Sequence, residues 1–151
     1  METKNLNTIW SKWIFGFSFV VIIVGILFGI ILPFVLPQTP DPFLTEITGL
    51  SLSDITPDQV RYRNLLMGVL GSVMIGWGIM LAFLGYKLMQ QSEDWIWISI
   101  TVSMLVWYIF DTSISLMVGS MLNVILNFFF LVFALPPLVV NVRNIIRKRM
   151  N

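Results

Sequence analysis

Residues 111–127 read DTSISLMVGSMLNVILN, two apolar runs that meet at the two-residue turn Gly119-Ser120. A connection this short makes the flanking helices antiparallel neighbours. The apolar character continues on both sides, over residues 95–118 and 121–142. About 20 apolar residues are enough to cross a 30 Å hydrocarbon core. We therefore expect a membrane-spanning helical hairpin in the second half of the chain.

Two further apolar segments precede this hairpin, at residues 14–36 and 65–86. The chain has 151 residues, 57% hydrophobic and 11% charged, against about 25% charged residues in soluble domains. The first segment is longer than the apolar core of a secretory signal peptide, and no small-x-small cleavage site follows it. The sequence therefore predicts an all-α fold. It is a single polytopic membrane domain over residues 1–151, an antiparallel bundle of four transmembrane helices with one long outer loop at 37–63.

Basic residues are unevenly distributed around the four segments. Positive charge is retained on the cytoplasmic side of a membrane, and seven of the nine basic residues fall on one side of the predicted bundle. Those seven are Lys4, Lys12, Lys87, Arg143, Arg147, Lys148 and Arg149, while Arg61 and Arg63 fall on the other side. We expect a cell inner (plasma) membrane protein with both termini cytoplasmic. Membrane lipids are expected partners, because each basic residue near an anionic surface contributes about 1 kcal/mol of attraction.

Composition excludes several kinds of chemistry. The chain has no cysteine and no histidine, which removes disulfides, thiol-bound metals and imidazole proton shuttles. The acidic residues of the outer loop are too scattered to indicate a metal site, and no basic face suggests a nucleic-acid partner. We therefore expect no metal, no cofactor and no nucleic acid. A single intramembrane carboxylate without a paired acid or base offers little for acid–base catalysis, so an enzyme is disfavoured.

Asp111 is the only acidic or basic residue inside the four apolar segments. A charge at that depth costs roughly 2.5–3.5 kcal/mol, which makes it a candidate functional site. Asp111 and Asn127 are each eight residues from Gly119, and Ser115 and Asn123 are each four residues from it. At 1.5 Å per residue, the first pair lies about 12 Å below the turn. Because polar groups must be paired in hydrocarbon, we expect these side chains to face each other.

Three more side chains are candidates for the same ligand or proton site. Trp107 lies one turn from Asp111 on the same helix face, and Trp77 is at about its level on the second helix. Arg63, at the outer mouth, is near enough to reach inward. The alternative is purely structural: the polar groups join two helices, and the two tryptophans belong to the core.

Local signals add detail to the spans. Thr56, Pro57 and Gln59 predict the start of the second helix, with a cap, a first-turn proline and a capping box. A short turn of helix is expected over 41–49, and Pro136-Pro137 should interrupt the fourth helix with a kink. Small residues indicate close helix packing, or room for a ligand beside the polar cluster: Gly25, Gly29, Gly68, Gly71 and Gly78.

Three runs together resemble a pattern of small uncharacterised bacterial four-helix integral membrane proteins. They are GVLGSVMIGWG at 68–78, WYIFDTSIS at 107–115 and NVILN at 123–127, within helices two to four. The chain is similar to the DoxX-like group in length only, since no functional motif of that group is matched. The resemblance implies the fold and a bacterial inner membrane, and it implies no activity.

These observations lead to one functional expectation and two alternatives. We expect a non-enzymatic multi-pass protein whose buried polar site around Asp111 binds a small or lipid-like ligand, or which supports a partner membrane protein. The first alternative is a small proton-coupled transporter in which Asp111 gains and loses a proton, and which forms a homo-oligomer to make a pathway. The second is a lipid-modifying membrane enzyme in which Asp111 is the acid or base and Asn127 orients it.

Overall fold

The computed structural model describes residues 2–91 and 93–150, with side chains described from residue 8 onward. A π-helical segment, Leu27–Val35, continues the first helix, and a 3-10 turn, Leu52–Asp54, lies in the outer loop. No strand occurs over these ranges, so the all-α prediction is confirmed. The α-helices are α1 (Glu2–Ile26), α2 (Pro42–Thr48), α3 (Pro57–Gln90), α4 (Asp94–Val118) and α5 (Met121–Met150).

Four helices are long and apolar enough to cross a membrane. These spans are Thr8–Val35, Pro57–Gln90, Asp94–Val118 and Met121–Met150, with 28, 34, 25 and 30 residues. Each exceeds the roughly 20 residues that a hydrocarbon core requires. The helices extend beyond the predicted apolar segments because their ends are polar but still helical. The structure therefore supports a small four-span membrane protein.

The helices form two antiparallel pairs. The first pair is α1 and α3, which share the most extensive contact of any two helices in the described structure. Phe15 lies opposite Gly85, and Gly29 lies opposite Gly71. In the second pair, α4 and α5 are joined by Gly119, whose φ of 79° is a left-handed conformation that favours glycine. The pairs meet chiefly along α1 and α5, and α3 and α4 share few contacts.

The closed apolar core lies in one half of this bundle. We call that half the basic end, because Lys12, Lys87 and Arg143 lie there, and the opposite half the loop end. Buried apolar side chains are concentrated at the basic end: Ile14, Phe17, Val21, Leu81, Leu88, Ile96, Trp97, Ile100, Met104, Ala134, Leu138 and Ile145. The polar residues of α4 and α5 lie at the loop end, outside this cluster of buried apolar side chains.

Pro136 and Pro137 do not interrupt α5, which continues as α-helix to Met150. The predicted interruption is not observed, and one carbonyl that the prolines leave free has a partner on a neighbouring helix. Pro137 has no N–H for the carbonyl of Phe133, four residues earlier. The indole Nε1 of Trp13 on α1 donates to that carbonyl over 2.8 Å. The same bond ties the two helix pairs together.

The outer loop is ordered by its caps. Asp41 accepts hydrogen bonds from the backbone N–H groups of Phe43 and Leu44, both at 3.1 Å, and so begins α2. Thr56 caps α3, and Gln59 closes the capping box, which confirms the predicted helix start. The short helix expected over 41–49 is also confirmed, as α2. Both caps satisfy N–H groups that helix starts otherwise leave unpaired.

Candidate functional site

Asp111 faces α5 and belongs to a hydrogen-bonded cluster with Asn123 and Ser115. The amide Nδ2 of Asn123 donates to Oδ1 of Asp111 over 2.9 Å and to Oγ of Ser115 over 2.7 Å. Ser115 in turn donates to the backbone carbonyl of Asp111 over 2.7 Å. Asp111 is half-buried and Ser115 is buried. One asparagine amide, with both hydrogens used, thus joins two oxygens that lie one helical turn apart.

Asn127 pairs with a different residue from the one the depth count suggested. Its Nδ2 donates to Oγ1 of Thr112 over 3.4 Å, while Asn123 takes Asp111. Asp111 and Ser115 share a helix face, so a single amide reaches both and leaves Asn127 to the adjacent hydroxyl. The sequence reasoning missed Thr112. The signal was available, since Thr112 is seven residues before Gly119 and therefore close in depth to Asn127.

The second carboxyl oxygen of Asp111 is unoccupied. Both side-chain contacts of Asp111 involve Oδ1, and Oδ2 accepts no hydrogen bond from the residues that the structure describes. Over the same residues, the only side-chain N or O atom that is fully enclosed without a partner is Nε1 of Trp10. Oδ2 is therefore not fully enclosed by the described residues, and it is free to accept a bond from a molecule that reaches it.

Aromatic rings lie one turn from Asp111, on the side of the buried core. Trp107 of α4 and Trp77 of α3 have ring centroids 5.6 Å apart with planes tilted by 41°. Phe130 of α5 packs edge-on against Trp107, with centroids 6.2 Å apart. All three rings are partly buried and pack against the apolar core. The contact between Trp77 and Trp107 joins α3 to α4.

Arg63 does not approach Asp111. Its Nε donates to Oδ2 of Asp41 in an ion pair whose side chains are only 12% and 8% exposed. Its Nη1 donates to the Oδ1 of Asn64 over 3.0 Å, and Asn64 donates to the carbonyl of Pro33. The expected inward reach is not observed because Asp41 supplies a nearer carboxylate. Among the described residues, Asp111 has no ion-pair partner.

Glu46 of the outer loop makes a long-range contact that sequence reasoning did not single out. Its carboxylate accepts from the backbone N–H of Leu122 over 3.0 Å and from Oγ of Ser120 over 3.1 Å. Those donors form the first turn of α5, where a negative charge is favoured by the helix dipole. Glu46 thus caps a transmembrane helix from 76 residues away. No local sequence signal could have indicated that contact.

The predicted packing glycines lie between α1 and α3, away from the polar cluster. A Cβ on Gly71 would come within 2.3 Å of Gly29 Cα and 2.5 Å of the Gly25 carbonyl, and one on Gly78 would meet Ser18 O at 3.0 Å. Backbone fills the space beside Gly25, Gly29, Gly71 and Gly78, so these four leave no room there for a ligand. A Cβ on Gly68 would have no neighbour nearer than 3.9 Å. Gly85 was not predicted as a packing glycine, and a Cβ there would lie 2.9 Å from the backbone nitrogen of Phe15. The seven-residue spacing of Gly71, Gly78 and Gly85 was the missed signal.

Comparisons with protein-family models, curated proteins and solved structures find no match to this chain. The four long apolar helices are consistent with a small membrane protein and indicate no particular family. Within the described part of the chain, no cluster of three or more acidic side chains could hold a metal ion. The geometry of the site itself is therefore the basis for inferring what this protein binds.

Proposed function

We propose that this chain is a non-enzymatic multi-pass inner-membrane protein whose polar cluster binds a small or lipid-like ligand through Asp111. The free Oδ2 of this intramembrane carboxyl group carries the proposal. A polar group inside a membrane normally has a partner. A carboxyl group with one oxygen held by Asn123 and the other not fully enclosed has room for one more hydrogen-bond donor.

The surrounding side chains indicate what kind of molecule fits. Apolar side chains border the cluster on both helices, so most of the ligand surface is apolar. The group that meets Oδ2 must donate a hydrogen bond, as a hydroxyl or an ammonium does. An ammonium is favoured, because Asp111 has no described cationic partner. The paired rings of Trp77 and Trp107 would also attract a cation.

Packing supports access from the side of the bundle. The buried apolar side chains are concentrated at the basic end, and α3 and α4 share few contacts. A lipid-like molecule would therefore enter between α3 and α4 from the leaflet at the loop end. The distribution of basic residues supports an orientation with both termini cytoplasmic, which places that opening in the outer leaflet.

The orientation is tested by cysteine labelling, since the chain contains no cysteine. In intact cells, Thr48→Cys in the outer loop should react with an impermeant maleimide. Asn144→Cys at the basic end should react only after the membrane is permeabilised. Both positions are exposed, so unequal burial would not explain a difference. The reversed labelling pattern would contradict the orientation.

Ligand binding is tested by comparing Asp111→Asn with Ser113→Ala, a control at an exposed position on the same helix. The asparagine amide oxygen can still accept from Asn123, so the variant should keep its melting temperature in detergent. Native mass spectrometry of the wild type and the control should show a bound molecule that Asp111→Asn loses. Equal occupancy in all three proteins would remove Asp111 from the binding site.

The same free oxygen favours one second candidate, a proton-coupled carrier in which Asp111 is reversibly protonated. This candidate predicts a proton flux in proteoliposomes that Asp111→Asn abolishes and Ser113→Ala retains. Flux without a bound molecule would favour the carrier. A bound molecule without flux would favour the binding protein.

A further inference from the structure

An open apolar groove of about 460 Å³ runs along α4 and α5 at the basic end. Its walls include Met104 and Leu105 from α4 and Leu135 and Val139 from α5. Arg143 and Arg147 also line the groove, mainly through the apolar parts of their side chains. The volume falls within the roughly 300–1,000 Å³ of small-molecule sites. The groove is separate from Asp111, which lies in the other half of the bundle.

The two arginines have no carboxylate partner in the described part of the chain. Nearby acidic residues are already paired with lysines: Asp94 with Lys148 at 3.6 Å and Glu93 with Lys87 at 3.4 Å. Arg143 and Arg147 are one turn apart, so both guanidinium groups lie on one face. Guanidinium groups pair with phosphate oxygens in a two-pronged geometry. The apolar groove is therefore flanked by two arginines whose charge no described carboxylate neutralises.

We propose that this groove binds one phospholipid with an anionic headgroup from the leaflet at the basic end. One acyl chain lies between α4 and α5, and the phosphate is bound by Arg143 and Arg147. From Leu131 to Arg147 the groove follows α5 for about 24 Å at 1.5 Å per residue. That length exceeds one leaflet of a 30 Å hydrocarbon core, about 15 Å. An acyl chain and the glycerol-phosphate region both fit along it.

Charge complementarity favours a lipid over a second copy of the chain. A second copy would have to bring acidic side chains to Arg143 and Arg147 at the same depth. Among the residues from 8 onward, whose side chains the structure describes, the acidic ones at the basic end are Asp94 and Glu93, and lysines already pair with both. An anionic phospholipid supplies the missing charge and the apolar chain in a single molecule.

The charge requirement is tested by titrating the full-length protein in detergent with phosphatidylglycerol and phosphatidylcholine that carry the same acyl chains. Native mass spectrometry then gives the affinity of each lipid. Phosphatidylglycerol should bind more tightly, and Arg143→Gln should weaken it about fivefold, which corresponds to about 1 kcal/mol. Arg149→Gln removes the same charge outside the groove and should have less than half that effect. Equal losses in the two variants would show a diffuse attraction and overturn the site.

The acyl-chain requirement is tested by filling the groove. Val139→Trp should exclude the lipid, whereas Val132→Trp, exposed on the same helix outside the groove, should not. Retained binding in Val139→Trp overturns the proposal, as does displacement of the lipid by millimolar inorganic phosphate. Loss of a dimer rather than of lipid in Val139→Trp assigns the groove to a second copy and also overturns it. A melting temperature matched to the Val132→Trp control separates each result from misfolding.

Discussion

Gly71 of α3 lies directly against Gly29 of α1, so that a Cβ on Gly71 would come within 2.3 Å of the Gly29 Cα. The reciprocal Cβ on Gly29 would lie 2.8 Å from the Gly71 Cα. Two helix backbones are therefore in contact without intervening side chains. Close packing of this kind stabilises helix pairs in lipid, where the hydrophobic effect does not drive helices together.

Gly71→Ala should lower the melting temperature in detergent, because the new methyl group forces the two backbones apart. Overpacking of this kind typically costs 1–3 kcal/mol. Gly76→Ala is the matched control, since no atom lies within 4 Å of its Cβ position on the same helix. It should be neutral or stabilising by up to about 1 kcal/mol through helix propensity. Equal melting temperatures for the two variants would contradict the contact.

Trp13→Phe should destabilise the bundle by removing the donor to the Phe133 carbonyl. Hydrogen bonds between membrane helices average about 0.6 kcal/mol and reach about 1.7 kcal/mol. We expect the upper part of that range, because Pro137 leaves the carbonyl without its helical partner. Trp10→Phe is the matched control, since its indole nitrogen is enclosed without an acceptor. In detergent, Trp13→Phe should therefore have a lower melting temperature than Trp10→Phe.

Glu46→Ala should loosen the first turn of α5, at a cost of about 1 kcal/mol for a lost helix cap. The stability of Glu46→Gln should lie between that of the wild type and that of Glu46→Ala, because an amide oxygen still accepts a bond but carries no charge. Hydrogen exchange at the Leu122 amide measures this contact directly and should accelerate in both variants. Asp58→Ala removes an equal charge from an exposed pair and should leave that amide unchanged. Unaltered exchange at Leu122 in Glu46→Ala would exclude the cap.

Asp54 provides a pH-dependent test of the outer loop. Hydrogen bonds from the Oγ and backbone N–H of Ser51 lower the pKa of Asp54 below its ordinary value of 3.8. A lowered pKa stabilises the folded loop at pH values above the unfolded pKa. That contribution is lost as the pH falls through the folded pKa. A carbon-13 NMR titration should give a pKa below 3.8, and Ser51→Ala should raise it toward 3.8.

Much of the fold could be predicted from the sequence because lipid imposes simple rules. Length and apolar composition predict the four spans, and the turn at Gly119 predicts the α4–α5 hairpin. Local chemistry also predicts the cap at Thr56 and the short helix over 41–49. The continuity of α5 through its prolines could not be predicted. Nor could the bond from Trp13, 120 residues away from the carbonyl that it contacts.

The sequence predicted which residues belong to the polar cluster better than it predicted which of them are hydrogen-bonded to each other. Depth counted from Gly119 brings Ser115 and Asn123 together correctly. It assigns Asn127 to Asp111, because a count along the helix ignores the reach of a side chain across one turn. Arg63 was expected near Asp111 since no local pattern indicates its ion pair with Asp41, 22 residues away. Helical periodicity does not predict contacts between segments that are distant in the sequence.

The contact between Glu46 and the start of α5 also constrains the order of events during synthesis. Glu46 leaves the ribosome 76 residues before Leu122, when neither α4 nor α5 exists. The outer loop must therefore wait, undocked, until the final hairpin has been inserted. Docking of α2 then marks the completed molecule, and a protease that cuts the free loop would distinguish unfinished chains from finished ones.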